Sequence, residues 1–223
     1  MTSVLVVHDQ TLQRLGLRML LAAEPDITVV GESADPLDAA RLSAELQPDV
    51  VVMGSRVSDA DGIDAIRSIT RPALPGERRP RVLVLTPTSS ETHSYAALRA
   101  GAGGFLLQDA TPEELAAAVR VVATGDAVIT PGLTRALIDA VRQQPVRRLT
   151  REVELHALTE RERDILTAVA SGWSNAEIGE RLSIAPTTVK SHVSHILAKI
   201  GARARVQAVV FAYESGLVQP AAA

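Results

Sequence analysis

The chain has 223 residues, 46% of them hydrophobic and 22% charged, no cysteine, and a formal net charge of -3. Such a composition can bury one or two cores, and it excludes disulfides, thiolate metal sites and cysteine nucleophiles. No apolar run nears the roughly 20 residues a bilayer span needs, and the opening "SVLVV" from Ser3 lacks a signal-peptide pattern, so a cytoplasmic protein with no membrane partner is expected.

Short apolar runs at Val4 to Val7, Ile27 to Val30, Val50 to Met53, Val82 to Leu85 and Phe105 to Leu107 alternate with longer segments of helical period. That alternation predicts consecutive βα units and a five-stranded, parallel, doubly wound α/β sheet. Helix punctuation agrees: Asp35-Pro36 opens one segment, and Thr111 caps another that has Pro112, Glu113 and Glu114 in its first turn and Gly125 after its end. The first domain is therefore read as residues 1–125.

Residues 126–156 read as a helical linker. Thr130 to Gln144 has Leu133, Leu137, Ile138 and Val141 on one helical face, and "QQPVRRLTREVELHA" follows with weak periodicity. Residues 157–219 are all helical. Thr159 with Glu162, and Ser174 with Glu177, are spaced as capping boxes, and Pro186 opens a third helix that ends at Gly201. In that helix Val189, Val193, Ile196, Leu197 and Ile200 share one face. From Arg181 to Tyr213 there is no acid, while Arg181, Lys190, Lys199, Arg203 and Arg205 supply positive charge. Small polar residues outward with bases at the edges suit insertion into a DNA major groove. Periodicity alone fits a solvated helical bundle equally well.

The text "LTERERDILTAVASGWSNAEIGERLSIAPTTVKSHVSHILAKIGARARVQAVVFAYESGLV", Leu158 to Val218, resembles the LuxR-type helix-turn-helix of NarL/FixJ-family response regulators. The resemblance implies a four-helix domain that binds double-stranded DNA, with base contacts from Lys190, Ser191 and Ser194 and backbone contacts from Thr187, Thr188, His195 and Lys199. The family often places a basic or bulkier residue where Ser194 stands. The resemblance also implies pairing of two such domains through the last helix, where Val206, Val209, Val210 and Tyr213 are candidates; core packing is the alternative for each.

Residues 1–125 resemble the family's receiver domain in text such as "LQPDVVVM" and "LRAGAGGFLLQDATPEELAAAVR". Receivers carry two acids after the first strand, a phosphoacceptor aspartate after the third, a hydroxyl after the fourth and a lysine after the fifth. Here those positions hold His8 and Asp9, Gly54, Thr86 and Gln108. Glycine offers no nucleophile for an acyl phosphate, one carboxylate is a poor magnesium site, and glutamine supplies no counter-charge. Thr86, and Phe105 at the family's switch aromatic, keep the output positions, though both also fit ordinary core roles. His8 is either a strand-end histidine or a sensor of pH or ligand. Asp59 and Asp61 lie in the following loop, but Asp61-Gly62 reads more simply as a turn and cap; Ser55 adjoins the acceptor position, yet a hydroxyl would need a kinase of a different class.

The expected protein is a DNA-binding regulator without catalytic, metal or cofactor sites. It would act as a homodimer and be controlled without aspartyl phosphorylation, by a small molecule at the receiver, a partner or abundance. The alternative is a chain that heterodimerises with a phosphorylatable related regulator and modulates it. A conventional regulator with a surrogate acceptor is the remaining reading.

Overall fold

The computed structural model describes residues 1–54, 59–71, 79–87, 91–129 and 155–218, with backbone alone over 91–95. The helix expected over Thr130 to Gln144, and Ser55, lie outside the described residues. The chain divides into two compact units, 1–134 and 135–223.

In the first unit the apolar runs become β1 (Thr2–Val7), β2 (Ile27–Ser33), β3 (Val50–Met53), β4 (Arg81–Thr86) and β5 (Gly104–Leu107). Between them lie α1 (Thr11–Ala22), α2 (Pro36–Leu46), α3 (Ala60–Thr70) and α4 (Glu91–Ala100), with α5 (Pro112–Thr124) following β5. All strand pairs are parallel, in the order β2-β1-β3-β4-β5. Strands covered on both faces carry no polar alternation, and β1, β3 and β4 are accordingly buried almost throughout. Val4, Val6, Val50, Val52, Leu83 and Leu85 point to one face, where Leu21 of α1 and Leu115, Val119 and Val122 of α5 close the core. On α5 the Thr111 and Glu114 capping box forms as the spacing predicts, and Gly125 ends the helix at φ 95°, a value that favours glycine.

Two boundaries differ from expectation. Asp61 and Gly62 lie inside the first turn of α3, with Asp59 at the N-cap, because the helix starts earlier than the Asp-Gly pair suggested. Beyond Gly125 the chain stays on the sheet: Val128 bridges Gly104 in parallel, and the Phe105 N–H donates to the Val128 carbonyl at 2.7 Å.

The second unit contains α6 (Glu160–Ala170), α7 (Asn175–Leu182), α8 (Pro186–Lys199) and α9 (Arg205–Glu214). Both expected capping boxes form, Thr159 with Glu162 and Ser174 with Glu177. Leu158, Ile165, Leu166, Val169, Ile178, Phe211 and the five-residue stripe of α8 make one core. The turn between α7 and α8 packs onto Gly179, where a Cβ would lie 2.7 Å from the Ile184 carbonyl oxygen.

Candidate functional site

Strand order reverses between β1 and β3, and in open α/β sheets the crevice at the carboxyl ends of such strands is where ligands bind. His8 follows β1, Gly54 follows β3, Thr86 ends β4 and Gln108 follows β5. The structure therefore brings the four together. Backbone bonds fix their spacing: His8 N donates to Ser33 O, Gly54 N to Val7 O and Gln108 N to Thr86 O, each at 3.0 Å.

The His8 imidazole is 3% exposed and fills the space above Gly54. A Cβ on Gly54 would stand 2.4 Å from His8 Cδ2 and 3.1 Å from Nε2, closer than side-chain carbons pack. Nδ1 accepts the Gln10 N–H at 3.1 Å, and Asp9 Oδ1 lies 3.2 Å from the same nitrogen. Burial pushes the His8 pKa below its ordinary 6.5; Asp9 pulls the other way and Arg14 adds to the depression. Arg14 donates to the His8 carbonyl at 2.7 Å and pairs with Glu32 at 3.7 Å, anchoring the loop after β1. The sequence gives no sign of that role for Arg14.

The Gln108 carboxamide donates to the Gly54 carbonyl at 2.9 Å. Thr86 is nearly buried and its hydroxyl donates to the Pro87 carbonyl at 3.2 Å. Phe105 is fully buried. A magnesium ion needs several oxygen ligands in octahedral array. Here Asp9 is the one carboxylate of the group, the Gly54 carbonyl is bonded to Gln108, and an imidazole fills the centre. The donor set does not fit such an ion, and no group of three or more acids and histidines suited to a metal occurs among the described residues.

In the second unit Thr187, Thr188, Lys190, Ser191, Ser194, His195 and Lys199 are all exposed on α8, opposite its buried stripe. The hydroxyls of Ser191 and Ser194 donate to the carbonyls of Thr187 and Lys190, at 3.1 and 3.0 Å, which leaves their lone pairs outward. The Lys199 ammonium lies 2.7 Å from Glu162 Oε2. Two other charges in the acid-free stretch have partners within the protein. Arg205 is buried, donating to Asn175 Oδ1 at 2.8 Å and to the Trp173 carbonyl, and Arg181 stacks 3.5 Å from the Trp173 ring centre.

On α9, Val206 has no exposed surface. Val209 packs half-buried against the core, and Val210 and Tyr213 are half-buried.

Residues 4–120 match the response regulator receiver domain, and residues 156–212 match the bacterial regulatory proteins of the luxR family. The nitrate/nitrite response regulator NarL of Escherichia coli K12 is 34% identical over 95% of both chains. This chain belongs to the NarL/FixJ family of response regulators. Like its family, this response regulator is a DNA-binding transcription regulator. LiaR of Bacillus subtilis is 35% identical over 98% of this chain and all of its own, and VraR of Staphylococcus aureus 36% over 97% and 98%. Among solved structures, the response regulator ChrA of a heme-sensing two-component system is 32% identical with a TM-score of 0.51, covering 97% of this regulator and 98% of its own chain. No helix among the described residues is long and apolar enough to cross a membrane.

Proposed function

We propose that this response regulator binds DNA as a dimer and is controlled without phosphorylation of an aspartate in its receiver. The observation that carries the reading is the His8 ring standing where a side chain on residue 54 would have to be. An acyl phosphate requires a carboxylate nucleophile, and Gly54 has none. Gln108 is neutral and bonded to the Gly54 carbonyl, so it provides no cation for a phosphate. Control then falls to a small molecule at the receiver, a partner regulator or abundance. Any of these acts by differing in affinity for two states of the receiver.

DNA reading is assigned to the exposed face of α8. Lys190, which has no ion-pair partner among the described residues, is the strongest donor for a guanine edge. Ser191 and Ser194 turn acceptor lone pairs outward for a base amino group. Thr187, Thr188 and His195 flank them as phosphate contacts. Homodimerisation finds support in the first unit: Leu12, Met19 and Leu20 of α1 are 82%, 63% and 42% exposed, a run of large apolar side chains on one helix.

Incubation with acetyl phosphate and magnesium tests the reading. Intact mass and DNA affinity should stay unchanged. A phosphorylated species at any receiver carboxylate refutes it.

A further inference from the structure

The second unit uses the capping box twice, and the two copies differ. Glu177 is exposed, and among the described residues its carboxylate accepts from Ser174 alone. Glu162 is buried, with a side chain 7% exposed, and its Oε2 accepts from Thr159 N at 2.8 Å, Thr159 Oγ1 at 3.0 Å and Lys199 Nζ at 2.7 Å. A cap alone does not require burial. A buried carboxylate does require a charged partner, because removing that partner leaves an uncompensated charge. The partner comes from 37 residues away, in the last turn of α8, where a cation also suits the helix dipole.

We propose that Glu162 and Lys199 are positioning residues for DNA recognition, pinning the carboxyl end of α8 to the first turn of α6, with the Lys199 charge directed at Glu162 and not at a DNA phosphate. The buried stripe of Val189, Val193, Ile196 and Leu197 holds α8 against the core but permits small shifts along and about its axis, since apolar contacts are not directional. One ion pair at the end removes that freedom. Lys190 and Ser194 lie one to three turns before the pin on the same helix, so its loss displaces the residues that read bases. Phosphate contacts through long, flexible side chains tolerate such a displacement, and base contacts do not.

The inference rests on α8 reading DNA. The test compares the full chain with Lys199→Gln, Lys199→Arg and Glu162→Gln, on an operator duplex selected from random sequence and on a random duplex of equal length, across a salt series. Circular dichroism verifies that each variant is folded at the assay temperature. Lys199→Gln is expected to weaken operator binding at least fivefold, leave random DNA within twofold and keep the salt slope; Lys199→Arg should restore the operator. Glu162→Gln should give the same selective loss although Lys199 keeps its charge. If Glu162→Gln does not fold, the Lys199 pair decides alone. A Lys199→Gln salt slope smaller by about one, with both duplexes weakened alike, would make Lys199 a phosphate contact and overturn the proposal. So would unchanged operator binding, or tighter binding to both duplexes in Glu162→Gln. Lys190→Ala serves as the control: if it leaves operator binding intact, it is the reading by α8 that fails.

Discussion

Placing alanine at residue 54 is the sharpest probe of the filled pocket. Gly54 has no positive φ, so the backbone accepts a side chain and the cost is steric alone. The new Cβ meets His8 Cδ2 at 2.4 Å, about an ångström inside the ordinary contact range that begins at 3.4 Å. The His8 backbone is bonded at both ends, to Ser33 and Arg14, so the ring itself must leave its buried position. Overpacking of this kind costs about 1–3 kcal/mol. His8→Ala removes the obstacle, and in that background Gly54→Ala should be nearly neutral. A double-mutant cycle by urea denaturation of the receiver transition should therefore give a coupling energy of about 1–3 kcal/mol. Additivity of the two substitutions within about 0.5 kcal/mol would refute the contact and the reasoning built on it.

Four further outcomes are expected. Lys190→Ala should weaken operator binding by about 1–3 kcal/mol and random DNA by less; equal losses would reassign it to phosphate. Gly179→Ala sets a Cβ against the backbone carbonyl of Ile184, which cannot swing aside, so calorimetry should show the second unit destabilised by about 1–3 kcal/mol, and an unchanged transition contradicts the tight turn. Burial alone would raise the Glu162 carboxyl, but the hydrogen bonds from Lys199 and Thr159 outweigh it and hold the pKa at about 2, against 4.5 ordinarily. A depressed acid stabilises the fold above pH 4.5 and loses that contribution as pH falls toward 2, so acid titration of the second unit should be shallower for Glu162→Gln across this window. Met19→Asp on the exposed face of α1 should shift sedimentation toward monomer; an unchanged dimer moves the interface elsewhere.

Local signals made much of the molecule legible. The five apolar runs, the capping boxes at Thr111, Thr159 and Ser174, and the buried stripe of α8 each depend on residues within a few positions of one another. What escaped depends on distance in the chain. His8 and Gly54 are 46 positions apart and meet only because β1 and β3 are neighbours in the sheet. The sequence shows that an acceptor position holds glycine; it does not show that an imidazole has moved into the vacated volume. Charge shows the same limit: Arg205 belongs to the acid-free basic stretch, but Trp173 and Asn175, at least 30 positions away, hold it in the interior. The apolar residues of α9 lie on most of its circumference, so its sequence does not distinguish a core face from a pairing face.

The placement of Trp173 has a practical consequence. It is the only tryptophan in the chain, half-buried in the turn before α7, with Arg181 across its ring and Arg205 on its carbonyl. Its emission is thus a built-in optical reporter confined to one half of the protein. Heating the full chain while recording fluorescence and circular dichroism together separates two melting events that a single probe would merge. A compound that shifts the dichroism curve but leaves the fluorescence curve in place is a ligand of the receiver, found without label, operator or kinase.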